Sequence, residues 1–209
     1  MDFSHSLALK LLQIKAIQIN LQNLFVWSSG IQSPIYCDNR IALSYPEARK
    51  FIVNGFINLL NEVESVDVVA GVATAGIPWG SMIAYEMNKP FVYVRAESKS
   101  HGKMNKIEGQ LSEGKKIIVI EDLISTGGSS IKAVDALREK KCEVISVLSI
   151  FQYNLPAAEV NFKKINCSFK SLSNFDALIL EAQNQNYITS REFEHISEWK
   201  IDPENWFKN

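Results

Sequence analysis

The spacing of apolar residues changes character along the chain. Leu7, Leu11, Ile14 and Ile17 recur at helical intervals, which predicts an N-terminal helix over 6–19. A Ser- and Gly-containing loop follows, Trp27-Ser-Ser-Gly-Ile-Gln-Ser-Pro34, and then a short strand-like piece, Ile35-Tyr-Cys37. Ser44-Tyr-Pro-Glu47 reads as a helix start: Ser44 caps, Glu47 reaches back, and Pro46 sits in the first turn, where its missing N–H costs nothing. Behind it Phe51, Ile52, Phe56, Leu59, Leu60 and Val63 form one apolar stripe, predicting a helix over 45–63.

From residue 67 short apolar runs alternate with amphipathic ones. The pattern predicts strands at 67–72, 91–95, 116–120, 144–151 and 168–172. Helices are predicted at 77–87, 129–140, 156–164 and 175–183, and a last one opens at a second capping box, Thr189-x-x-Glu192. Residues 96–114 are polar, with little periodicity. Buried strands alternating with helices imply an α/β fold with a mostly parallel sheet covered on both faces. In such sheets ligands sit at the carboxyl ends of the strands, at a topological switch point. The loops after residues 71, 95, 121 and 151 are therefore the places to search.

Composition changes this picture little. The 209 residues carry 22 Lys and Arg against 23 Asp and Glu, a net charge of −1, with 46% apolar residues. These values exclude a disordered tail, a collagen or a disulfide scaffold, and they argue against a general nucleic-acid binder. One domain over 1–209 is expected, with residues 1–45 as an N-terminal helix followed by loop and short strand, and 46–209 as the core. Cys37, Cys142 and Cys167 form no CxxC pair and read as reduced, buried thiols. No stretch approaches the roughly 18 apolar residues of a membrane span, and the N-terminus lacks a signal-peptide pattern, so a cytoplasmic protein with no membrane or nucleic-acid partner is expected.

The loop after strand 116–120 carries the densest chemistry: Lys116-Ile-Ile-Val-Ile-Glu-Asp-Leu-Ile-Ser-Thr-Gly-Gly-Ser-Ser130. Gly127 and Gly128 let the backbone wrap an anion. The hydroxyls of Ser125, Thr126 and Ser129 and the free N–H groups at a helix start donate to phosphate. Glu121 and Asp122 suit sugar hydroxyls, directly or through a metal ion. The plain alternative is a capped helix with solvated acids. Two other glycine strings lead nowhere: Gly71-Val-Ala-Thr-Ala-Gly76 has Walker-like spacing but Ile77 in place of lysine, and Gly109-Gln-Leu-Ser-Glu-Gly-Lys-Lys116 precedes a strand instead of following one. Segment 95–106 holds Arg95, Lys99, Lys103, Lys106 and His101 against only Glu97, either a solvated loop or a set of cations aimed at developing negative charge. His5 and His195 have no chemical neighbours in sequence. Trp199, Trp206 and Phe207 read as packing for the tail.

The 116–130 string resembles the phosphoribosyl-diphosphate (PRPP) motif of type I phosphoribosyltransferases. Phe25-x-Trp-Ser-Ser-Gly-x-x-Ser-Pro-x-Tyr-x-Asp-x-Arg40, Gly71-Val-Ala-Thr-Ala-Gly-Ile-Pro78, Val94-Arg-x-x-x-Lys-x-His-Gly102 and Ile107-Glu-Gly109 look like the orotate phosphoribosyltransferase family, in order and at similar spacing. The resemblance covers roughly 20–150. It implies a type I phosphoribosyltransferase fold with a small hood from the N-terminal region, within residues 1–45, and transfer of ribose 5-phosphate from PRPP to orotate in UMP synthesis, with Mg²⁺ brought by PRPP and no direct protein metal site. It also implies a homodimer whose 96–108 loop reaches the neighbouring subunit's site. By the same resemblance, Arg95, Lys99, His101, Glu121, Asp122, Leu123, Ile124, Ser125, Thr126, Gly127, Gly128 and Ser129 contact PRPP. Ser125, Ser29 and Tyr36 contact orotate, and Lys99, His101 and Asp122 are the catalytic residues. Three positions depart from the pattern: Ala96 and Gln32 stand where relatives often carry basic residues, and Gln152-Tyr-Asn-Leu155 holds no Arg near the orotate. A phosphoribosyltransferase for another base, and a PRPP-sensing regulator on the same fold, remain alternatives.

Overall fold

The computed structural model describes residues 2–27, 30–63, 65–95 and 106–206. The chain begins with α1 (Phe3–Gln13), whose first amide donates to the Asp2 carboxylate at 2.7 Å. Four short strands follow: β1 (Ile17–Ile19), β2 (Phe25–Val26), β3 (Gln32–Ser33) and β4 (Ile35–Cys37). β1 pairs antiparallel with β4, and β2 with β3, which builds a small hood. The helix predicted over 6–19 thus ends at Gln13. Lys15 takes φ +58, and Ile17 and Ile19 pair with Cys37 and Ile35. Apolar residues at 14, 17 and 19 satisfy a helical stripe and a half-buried strand equally well, and the partner strand decides between them.

A 3₁₀ turn over Asn39–Ser44 leads into α2 (Pro46–Leu60). Ser44 is spent as the last residue of that turn, so Tyr45 becomes the cap and no side chain caps the helix. The capping box predicted at 44–47 does not form. The one at Thr189 does: the Thr189 N–H donates to Glu192 Oε2 at 2.7 Å, and the Glu192 N–H to Thr189 Oγ1 at 3.3 Å.

The rest alternates as the pattern predicts: β5 (Val68–Val72), α3 (Gly76–Glu86), β6 (Phe91–Val94), β7 (Ile107–Glu108), β8 (Lys116–Ile124), α4 (Gly128–Glu139), β9 (Glu143–Gln152), α5 (Pro156–Lys164), β10 (Ser168–Asn174), α6 (Phe175–Asn184) and α7 (Ser190–Ile201). The six strands lie in the order β10-β9-β8-β5-β6-β7, all parallel except β7 against β6. Period-two alternation sorts the core. Ile118 and Ile120 of β8 face α1, α2, α3, α6 and α7, whereas Ile117 and Val119 face α4 and α5. The three cysteines are free and buried. Among the described residues no helix is long and apolar enough to cross a membrane.

Two features place a crevice. After β5 the chain moves outward to β6 on one side, then returns to lay β8 on β5's other side, so the strand order reverses between β5 and β8. β8 also outruns its neighbour. Its pairing with β5 stops at Gly71 opposite Ile120, while pairing with β9 continues to Ile124 opposite Gln152. The strand predicted over 116–120 is therefore longer, and residues 121–124 line an open side where β5 has already turned away.

Candidate active site

The floor of the crevice is set by glycine. α3 starts so close to β8 that a Cβ on Gly76 would strike the Ile120 carbonyl oxygen. Helix and strand meet backbone to backbone there, which holds the Ala73-Thr74-Ala75 turn at the strand end. In that turn the Ala73–Thr74 peptide is cis, and the Ala73 N–H donates to the Val94 carbonyl at 2.8 Å.

The opposite wall is the turn from β8 into α4. Gly127 takes φ +82, and a Cβ there would lie 2.6 Å from the Phe162 ring, so shape and conformation both require glycine. The next residues open α4, whose first-turn N–H groups have no intrahelical acceptor. The space beside Gly128 is open. A helix N-terminus with free amides facing open space is an anion site. Asn161 of α5 braces the turn by donating to the Thr126 carbonyl at 3.1 Å. Ser125 is half-buried and Thr126 exposed.

The adjacent acids stay side by side, their carboxyl groups hydrogen-bonded to each other, while their remaining contacts differ. Glu121 points toward α4. It is 4% exposed, accepting the Asp122 N–H at 3.1 Å on Oε1 and the Ser129 and Ser130 hydroxyls at 2.9 and 3.3 Å on Oε2. Burial first, and the Asp122 charge second, hold its carboxyl well above the ordinary range. Asp122 faces the hood. Burial raises its carboxyl too, against the opposing pull of its hydrogen bond with Glu121 and, more weakly, of the Arg40 guanidinium. Ser129 therefore serves Glu121 here, and Asp122 is the carboxylate nearer the Asp38–Arg40 lip of the crevice.

That lip is assembled from distant sequence. Tyr36 on β4 is 39% exposed and tilts against the Phe25 ring at 5.4 Å. Just beyond, Asp38 holds Arg40 through two contacts, Nε to Oδ1 at 2.6 Å and the terminal nitrogen to Oδ2 at 2.8 Å. Arg40 pulls the Asp38 carboxyl below its usual range. Between them Asn39, fully buried, donates from Nδ2 to the Asp122 carbonyl at 2.7 Å. Sequence reasoning missed Asn39. Its only signal was a place inside the Asp38-Asn-Arg40 run.

The remaining expected residues sort as follows. Arg95 stands at the end of β6, where its guanidinium meets Glu108 at 3.4 Å and its N–H donates to the Lys106 carbonyl at 2.8 Å. The Leu123 side chain packs against the first core. Ile124 is 1% exposed in the second, and its carbonyl accepts the Tyr153 N–H at 3.1 Å. Both frame the crevice with their side chains turned to the core. Gln152 continues the sheet, and Tyr153 is 2% exposed among aromatic rings, with Trp27 at 4.6 Å. Ser29, Lys99 and His101 lie outside the described residues, as does most of the basic segment. Away from the crevice, His5 Nδ1 lies 3.0 Å from buried Glu181, a partner no spacing announces, and exposed His195 sits against the Trp206 ring at 4.4 Å.

Residues 44–176 match the model of the phosphoribosyl transferase domain. The orotate phosphoribosyltransferase of Cytophaga hutchinsonii is 46% identical over 209 residues, the whole of both chains. That of Staphylococcus aureus (strain Mu50) is 49% identical over 195 residues, 93% of this chain and 96% of the relative. Among solved structures, orotate phosphoribosyltransferase from Aeropyrum pernix is 27% identical with a TM-score of 0.75, covering 88% of this chain and 99% of that one. A helix start with free amides beside a buried acid pair, at the switch point of this sheet, agrees with that likeness: the chain belongs to the orotate phosphoribosyltransferases, pentosyltransferase enzymes of the phosphoribosyl transferase domain family.

Proposed function

We propose that the crevice between β5 and β8 transfers ribose 5-phosphate from PRPP to orotate, releasing orotidine 5′-phosphate and pyrophosphate, as a cytoplasmic step of pyrimidine synthesis. The observation that carries this reading is the adjacency of two unlike subsites on one stretch of chain. The start of α4 is tied to Glu121 through the Ser129 and Ser130 hydroxyls, and Asp122 is the next residue and hydrogen-bonds Glu121, so a 5′-phosphate at the free amides and the ribose hydroxyls at the acids are gripped together. Residues 125–129 form the phosphate cradle. Asp122 takes the ribose side, with Glu121 behind it. The 73–76 turn faces the pyrophosphate, and Arg95, Lys99 and His101 meet it from the β6 side. Tyr36 and the Ser29 loop hold orotate.

Orotate N1 attacks C1 as the C1–O bond to pyrophosphate loosens. The new C–N bond forms, the leaving oxygen keeps the electron pair, the N1 proton is given up to the departing pyrophosphate or to water, and no covalent enzyme intermediate is needed. Catalysis is positioning plus electrostatic stabilisation of the oxocarbenium ion and the departing pyrophosphate. The donor set suits Mg²⁺ carried by substrate oxygens: Asp122 stands on the ribose side, while Glu121 is buried and taken up by Ser129 and Ser130. When bound, the ion neutralises pyrophosphate charge. The chain is further read as one domain, working as a homodimer with the 96–108 loop closing over the neighbouring site, without nucleic-acid or membrane partners.

Incubating the protein with PRPP and orotate, with and without Mg²⁺, tests this. Pyrophosphate release is expected with orotate and absent with uracil, adenine or hypoxanthine. Release with a purine and none with orotate would overturn the base assignment.

A further inference from the structure

α7 shapes the crevice without reaching it. Trp199 is fully buried, and its indole N–H donates to the Gln32 carbonyl on β3 at 3.0 Å. The ring meets Trp27 edge-on at 5.6 Å and stacks on Phe175 at 5.7 Å. Trp27 leans on Tyr153 at 4.6 Å and donates its own indole N–H to the Ile35 carbonyl, at the start of β4, at 3.3 Å. The Tyr153 hydroxyl in turn faces the Cys37 backbone at the end of β4. One aromatic cluster therefore runs from the last helix to both ends of the strand that carries Tyr36.

The hairpin it supports is small. β2 and β3 have two residues each, and Val26 is 68% exposed on the outer side. A two-stranded hairpin is marginal in water by itself, so its position depends on what its inner side docks against. Local opening of such a unit costs far less than unfolding the sheet.

We propose that Trp199 is a positioning residue for the base-binding hood, holding the β2–β3 hairpin down on β4 so that the orotate subsite is formed before orotate arrives. The proposal rests on the reading that Tyr36 and its surroundings bind orotate. Its consequence is a population effect: when the hood is competent only part of the time, apparent affinity falls by that fraction, while the saturated enzyme turns over as before. PRPP, gripped by α4 and β8, is untouched.

The test measures kcat, both KM values and Tm for the native chain, Trp199→Phe and Tyr36→Ala. Phe keeps one aromatic ring but loses the N–H together with the second ring of the indole, so a moderate fall in Tm is expected alongside. Losing one part-buried hydrogen bond predicts that Trp199→Phe raises the orotate KM roughly tenfold, with kcat and the PRPP KM unchanged. Hydrogen exchange supplies a second readout: the Trp27 amide, which donates to the Ile31 carbonyl at 2.9 Å, exchanges faster in the variant while β8 and β9 amides do not. If Tyr36→Ala raises the orotate KM and Trp199→Phe changes neither KM nor exchange, the proposal is overturned and the hood reading stands. If Tyr36→Ala leaves the orotate KM unchanged, the hood reading fails and the proposal with it. A Trp199→Phe protein that loses Tm, kcat and both substrates together makes Trp199 a core residue only, which also overturns the proposal.

Discussion

The two lips of the crevice are built in opposite ways. The lip proposed to hold phosphate and ribose comes from one run of chain, Glu121 to Ser130, locked by short-range contacts: Ser129 and Ser130 onto Glu121, Gly127 in its left-handed turn. The lip proposed to hold the base is gathered from β4, the Asp38–Arg40 turn and Tyr153, with Trp199 packed behind it, and it is tied by contacts between residues far apart in sequence. A lip made of local structure is preorganised once its helix and strand form. One made of distant pieces is held by individual side-chain bonds, so single changes open it separately from the rest.

The largest effect expected is at Asp122. Removing its charge with Asp122→Asn takes away a group aimed at the reacting sugar and should lower kcat by about 10²–10³-fold. Steady-state assays at saturating substrates check it, and an unchanged kcat would detach Asp122 from the chemistry. Next is the local lip's backbone. Gly127→Ala demands a left-handed conformation from a residue with a Cβ and presses it into Phe162, which should cost about 1–3 kcal/mol of stability. It should also raise the PRPP KM more than the orotate KM. Chemical denaturation together with both KM values separates the two lips here.

Asn39→Ala is the sharper probe of the link between them. It deletes the bond to the Asp122 carbonyl, and leaving that group without its donor costs about 1–3 kcal/mol. Because Asn39 joins the hood to the acid, both substrates should bind more weakly. An effect on one substrate alone would make the lips independent.

Glu121 adds a pH signature. Its carboxyl is raised in the folded state, so the fold holds a proton that the unfolded chain has released. Stability is then fullest below the ordinary glutamate range and falls as pH rises toward the folded value. Glu121→Gln should flatten that part of the stability–pH curve, and an identical slope in the variant would contradict the burial argument. The smallest effect lies far from the crevice: Thr189→Ala removes a working capping box, costing about 1 kcal/mol, with Tm lower by roughly 2–4 °C and kcat unchanged.

The same contrast explains what could be read in advance. The 116–130 run was legible because strand, turn and helix start are consecutive, and the physics of each piece is local. The alternation of buried strands also disclosed the parallel sheet. Three things were not legible. β8 extends to Ile124 because β9 accompanies it, and a partner strand leaves no mark on its neighbour's sequence. Residues 14–19 fit two periods, and β4 chooses one. Ser44-x-x-Glu47 and Thr189-x-x-Glu192 are the same signal, yet only the second forms a box, because the turn before α2 has already taken Ser44. At the site, the adjacency of the two acids was legible, but the hydrogen bond between their side chains and the burial of Glu121 depend on how β8 and α4 pack. Asn39 and Trp199 act through bonds spanning 83 and 167 positions, beyond any spacing rule.

The central claim is that one crevice carries both substrates, with Asp122 at their junction. The most direct measurement is formation of orotidine 5′-phosphate from orotate and PRPP by the native chain and by Asp122→Asn, side by side. The expected result is turnover by the native chain that needs both substrates, and a fall of about 10²–10³-fold in the folded variant. Equal rates in the two proteins, or a native chain that consumes PRPP only with a purine, would contradict it.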